Sequence, residues 1–147
     1  MQKKNITYYL LITLALLCIL VGGAIYLVFR TRTLFMFKPL PIEWITTLDN
    51  IKNNITLPNN IFTSFLIYSL PTGLWTISYI LLMQIICEGM PKKQRFLWIY
   101  SLPVILLIVE FLQLFPICQG TFDIVDSLCY IIPIIVSLII DKQNEKL

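Results

Sequence analysis

Apolar runs separated by short polar connections organise this sequence. Residues 8–29, 61–87, 96–115 and 123–140 form four such runs. At about 1.5 Å of rise per residue, each approaches or exceeds the roughly 30 Å hydrocarbon core of a bilayer when helical. The pattern predicts an all-α integral membrane protein, with four transmembrane helices in an antiparallel bundle and one domain over residues 1–147. Leu70-Pro71-Thr72-Gly73 interrupts the second run and predicts a kink or a late start, because proline removes a backbone donor and crowds the preceding turn. Pro103 lies near the start of the third run and Pro133 inside the fourth. Between the first two runs, residues 30–60 contain Trp44, Leu48, Ile51 and Ile55 at heptad-like spacing, bracketed by Pro41 and Pro58. This predicts an interfacial amphipathic helix with Glu43, Asp49 and Lys52 toward water; an irregular loop packed over the bundle is the alternative.

Composition agrees with the pattern and narrows the chemistry. The 147 residues are 58% hydrophobic and 13% charged, too apolar for a soluble domain of this size. The net charge of +3 comes from basic residues that flank the runs and form no groove, so nucleic acid is not an expected partner. The chain has no histidine, which excludes Ser-His and Cys-His catalysis and His-containing zinc sites. Cys18, Cys87, Cys118 and Cys129 have no paired or metal-ligand spacing and read as small hydrophobes, with a Cys118–Cys129 disulfide as the one alternative. No cofactor and no metal is expected.

Basic residues orient the bundle. Lys3, Lys4, Lys92, Lys93, Arg95, Lys142 and Lys146 fall at one end, against Arg30, Arg32, Lys38 and Lys52 at the other. The positive-inside rule then places both termini in the cytoplasm. Residues 8–29 follow Lys3 and Lys4 as a signal peptide would, but the run is long and closed by Arg30 and Arg32, so it reads as a retained span.

That orientation puts the stretch VEFLQLFPICQGTFDIVDSLCY, residues 109–130, on the outer face, with three acidic residues and no basic one. Glu110 and Gln113 are i, i+3 neighbours near the end of the third span. Asp123 and Asp126 open the fourth, and a link with Pro116 and Gly120 returns the chain between them. Two helices joined so closely bring these polar faces together. Asp123 reads equally as an N-cap, and Asp126 as its N3 partner. Glu110, about five residues and 7.5 Å inside the predicted span, is the carboxylate that capping within its own helix does not explain. Its structural alternative is an interhelical hydrogen bond to Gln113, Tyr130 or a serine. Arg30 and Arg32 are candidate charge partners, and the three carboxylates with Gln113 are an alternative oxygen-ligand set for a divalent cation.

Glu110-Phe111-Leu112-Gln113, a short link and Phe122-Asp123-Ile124-Val125-Asp126 resemble the signature of VanZ-like proteins, small bacterial membrane proteins carrying ExxQ and then an acidic pair. The chain resembles a divergent member. Gln119-Gly120-Thr121 stands where the family places an arginine, Tyr130 and Pro133 where it often has asparagine and glycine, and an earlier His-containing motif is missing. The resemblance implies a multi-helix protein of the bacterial inner membrane and carries Glu110, Gln113, Asp123 and Asp126 over as site residues. The family takes its name from a member that raises resistance to teicoplanin.

The expected function is binding of a lipid-linked or cell-wall component in an outer-face polar pocket, in cell-envelope physiology or glycopeptide and envelope-stress resistance. The lipid bilayer, such a precursor and another membrane protein are the expected partners. One alternative is a membrane interaction or structural subunit whose acidic residues orient helices. The other is a membrane-embedded hydrolase or transferase, with Ser127 as the available nucleophile.

Overall fold

The computed structural model describes the backbone of residues 2–30, 37–115 and 120–144, and the side chains of residues 6–30, 37–115 and 120–142. Its helices are α1 (Gln2–Phe29), α2 (Ile42–Asn54), α3 (Ile61–Ile86), α4 (Lys92–Leu112) and α5 (Ile124–Asn144), with no strand among the described residues. The segments Ile6–Phe29, Ile61–Ile86, Lys92–Leu112 and Ile124–Lys142 are long and apolar enough to cross a membrane. The protein is an all-α, multi-pass membrane bundle.

Its interior and exterior have the polarity such a bundle requires. Leu10, Leu20, Leu97, Ile132 and many other large apolar side chains point outward, while Thr63, Thr76, Ser78, Ser127, Ser137 and Glu110 are buried. In hydrocarbon, apolar burial does not drive helices together, so small residues and interhelical hydrogen bonds do. The α1–α3 contact, the most extensive in the bundle, uses Ala15, Cys18 and Gly22 on one face of α1. Glycine at 22 is set by close approach: a Cβ there would lie 2.8 Å from Trp75 Nε1. One turn on, Tyr26 packs its ring on Trp75 with centroids 5.1 Å apart. The α3–α5 contact closes at Gly73, where a Cβ would meet the Cys129 side chain at 3.5 Å.

Pro71 produces the expected disturbance as a π-turn. Residues Phe65–Ser69 are π-helical, and the Leu70 N–H donates to the Phe65 carbonyl, one residue further back than in an α-helix. The wider turn accommodates the ring, and Pro71 lies in the first turn of the regular stretch Leu70–Ile86 that follows it. The helix starts at Ile61 with the Asn60 side chain accepting from the Thr63 N–H at 2.8 Å, an ordinary N-cap.

Several helix boundaries shift: α1 begins at Gln2 instead of residue 8, α5 ends at Asn144 instead of 140, and both ends of α4 move. α4 begins at Lys92 instead of residue 96, because Pro91 supplies an extended residue before a first turn whose polar side chains, all but Arg95 exposed, are invisible to hydropathy. It ends at Leu112 instead of 115, which leaves Glu110 two residues, or about 3 Å, from the helix end instead of the expected 7.5 Å.

The amphipathic segment is helical, as the heptad-like pattern predicts. α2 follows Pro41, ends at Asn54 and buries none of its residues; Trp44 is 65% exposed. Ile55, expected on its stripe, is the extended residue that terminates it. Lys52 reaches back to donate to the Phe29 carbonyl at 3.4 Å, placing a cation on a carbonyl at the C-terminus of α1.

Candidate functional site

The link between α4 and α5 brings the acidic residues to one end of the bundle. Asp123 is the N-cap of α5: its Oδ1 accepts from the Val125 N–H at 2.8 Å. Its own N–H donates to Glu110 Oε1 at 2.9 Å. In a capping box, an acidic N3 side chain of the same helix takes that N–H. Here Glu110, from the neighbouring helix, occupies the role, and Asp126 at N3 is released from it. Glu110 is only 7% exposed and lies where the positive end of the α5 dipole favours a carboxylate. Capping therefore explains Glu110 after all, but from a different helix.

Asp126 faces the other way. The buried Ser69 side chain, on the π-turn of α3, and the Arg30 guanidinium both act on its carboxylate. Among the described residues, Asp126 Oδ1 and Arg30 Nε are buried without a hydrogen-bond partner. The Arg30 guanidinium lies 5.2 Å from the ring centroids of both Tyr26 and Tyr68, held between them by cation–π attraction. Arg30 thus lies close enough to act on Asp126, and Tyr26, one turn back, helps to position it. Arg32 lies outside the described residues, as do Cys118 and Gln119.

Gln113 takes a separate place. It is the C-cap of α4, and its side chain packs against Gly120, where a Cβ would lie 2.8 Å from Gln113 Cδ. Gly120 has φ +139°, so both conformation and space call for glycine. Gln113 supports the link, while Glu110 holds the helix start.

An open groove of about 530 Å³ lies alongside, lined by Asn60, Ser64, Tyr68, Ser69 and Asp123 among others. Sequence reasoning missed Ser69, Tyr68, Tyr26 and Asn60. The available signal was Ser69, a hydroxyl two residues before Pro71 in an apolar run, where the proline disturbs the helix.

Among the described residues no three His, Cys, Asp or Glu side chains converge as metal ligands. The buried Ser127 hydroxyl donates to the Asp123 carbonyl at 3.4 Å, within the cap and not toward a base. Cys129 is a free thiol, and Cys18 and Cys87 are buried free thiols.

A second polar cluster, which the sequence did not announce, lies at the opposite end of the α4–α5 pair. Ser137 Oγ accepts from Gln84 Nε2 at 2.9 Å and shares a 2.8 Å hydrogen bond with the Tyr100 hydroxyl. Tyr100 also donates to Asp141 Oδ2 at 3.3 Å, and Arg95 pairs with Asp141 Oδ1 at 3.6 Å. Three helices meet in one chain of hydrogen bonds.

No protein-family model matches this chain, and neither does any curated protein or solved structure.

Proposed function

We propose that this chain is a VanZ-like protein of the bacterial inner membrane, with both termini cytoplasmic. In this reading the groove at its acidic end binds a lipid-linked or peptidoglycan-related envelope component, and the protein acts in envelope physiology or glycopeptide resistance. One observation carries the reading: Asp126 leaves a buried carboxylate oxygen unpartnered beside Ser69 and the clamped Arg30. A buried polar atom without a partner costs about 1–3 kcal/mol, and a ligand donor at that position would recover it. The reading is one of binding without catalysis.

Asp126→Asn, with Glu110 and Asp123 intact, is expected to abolish an effect of the protein on glycopeptide sensitivity at unchanged membrane abundance. An unaltered phenotype in a well-expressed variant would sink the proposal. Labelling Cys118 in intact cells with a membrane-impermeant thiol reagent tests the orientation: labelling is expected, and protection until the membrane is broken would invert the topology.

The Glu110 to Asp123 hydrogen bond supports a second reading, a structural or interaction subunit whose acidic residues orient helices. It predicts that Glu110→Ala and Asp126→Asn alike reduce recovery of a partner complex in detergent.

A further inference from the structure

The middle of the bundle holds a crevice between α3 and α4 that the reading above does not use. It encloses about 350 Å³, and Trp75, Tyr79, Pro103, Leu106 and Tyr130 are among its lining residues. That size falls within the range of about 300–1,000 Å³ usual for small-molecule sites. Its depth follows from the helices that form it. Trp75 stands near the middle of the span Ile61–Ile86, and Pro103 near the middle of Lys92–Leu112. Leu102 and Leu106, both in the lining, are 40% and 36% exposed, so the crevice opens sideways toward hydrocarbon. A ligand entering there must be uncharged, because a charge near the bilayer centre is strongly disfavoured.

The hydroxyl groups narrow the class of ligand. Thr76 donates to the Thr72 carbonyl and Tyr79 to the Trp98 carbonyl, each at 2.8 Å. Tyr130 makes no hydrogen bond among the described residues, which leaves its phenol proton to donate. Glu110 and Asp126 act on Tyr130 electrostatically, so a phosphate or carboxylate acceptor would be repelled there. A neutral carbonyl is the acceptor that fits. The walls add a shape. Trp75, Tyr79 and Tyr130 are aromatic, and Tyr26 of α1 packs on Trp75 with centroids 5.1 Å apart and helps to fix it. Aromatic walls favour a flat ring that can stack. A plain acyl chain would fill the space and leave Tyr130 without an acceptor.

We infer that this crevice binds the head of a prenylated quinone. The ring lies among the aromatic side chains and Pro103, one carbonyl accepts from Tyr130, and the tail leaves past Leu102 and Leu106 into the bilayer. A quinone of this kind is neutral, flat, rich in carbonyl oxygen and soluble in hydrocarbon. The inference is one of binding, involves no electron transfer and does not depend on the function proposed for the acidic end.

The test is native mass spectrometry of the full chain in mild detergent, with a naphthoquinone carrying a two-unit prenyl tail as the probe. Geraniol, which has such a tail and no ring, and phosphatidylcholine are supplied as competitors. The quinone is expected to be retained and displaced by neither. Tyr130→Phe keeps the aromatic ring and removes the donor, so retention should fall about threefold to tenfold, the worth of one hydrogen bond. Leu106→Trp should fill the crevice and abolish retention. Leu20→Trp, on the outward side of α1, should leave it unchanged. Displacement by geraniol or by phosphatidylcholine, full retention in Leu106→Trp, or unaltered retention in Tyr130→Phe would each overturn the assignment. If Leu106→Trp fails to fold, the conservative Tyr130→Phe still decides.

Discussion

The two ends of the α4–α5 pair are clasped by polar groups, and the clasps differ in completeness. At the basic end, Gln84, Ser137, Tyr100, Asp141 and Arg95 are linked by hydrogen bonds and an ion pair. At the acidic end, Glu110 and Asp123 complete each other, but Asp126 Oδ1 and Arg30 Nε beside them stay without partners. A satisfied network fixes helix packing and has no polar valence left for a ligand. An incomplete one carries an energetic cost that a ligand can relieve. The same chemistry in one helix pair thus yields a staple at one end and a candidate receptor at the other.

Substitutions can break this contrast, and the largest effect is expected at Glu110. Glu110→Ala leaves the part-buried Asp123 N–H without its acceptor, which costs about 1–3 kcal/mol. Thermal unfolding in detergent should show the loss, and Glu110→Gln, which keeps an acceptor, should restore most of it. A smaller loss, roughly 0.5–1.5 kcal/mol, is expected for Tyr100→Phe, because Gln84 still serves Ser137 and Arg95 still serves Asp141. Smaller again is the Arg95–Asp141 pair. A double-mutant cycle with Arg95→Gln and Asp141→Asn should give a coupling of about 0–1 kcal/mol, since both side chains are about a third exposed. Smallest is Asp126→Asn, expected to change stability by less than about 0.5 kcal/mol or to raise it, because it removes a charge that the fold does not fully pair. A loss at Asp126 as large as that of Glu110→Ala would make the acidic end a second staple and dissolve the contrast.

The architecture was largely legible in the sequence, and the site only in part. Hydropathy located all four spans because lipid-facing side chains dominate their composition, but it could not register Lys92 to Arg95 as a helical turn. The i, i+3 spacing of Asp123 and Asp126 suggested a capping box within one helix. What periodicity cannot contain is a partner from another helix, and Glu110 supplies the acceptor for that box across the α4–α5 contact. The basic-end network was hidden for a related reason. Gln84, Tyr100 and Ser137 are single polar residues in three separate apolar runs, and only packing shows that they share one depth.

The π-turn at Phe65–Ser69 has a consequence for how this chain tolerates change in length. A π-turn is an α-helix with one residue too many, and here the surplus lies between the Asn60 cap and Pro71. Deleting Leu66 would let the helix close as α with little rotation of the part before it relative to Pro71 and beyond, because the wide turn spends its surplus residue on about the same advance around the axis. The Asn60 cap and the chain leading back to α2 would keep their side of α3. The same deletion in the regular stretch after Pro71 would turn one end against the other by about 100°.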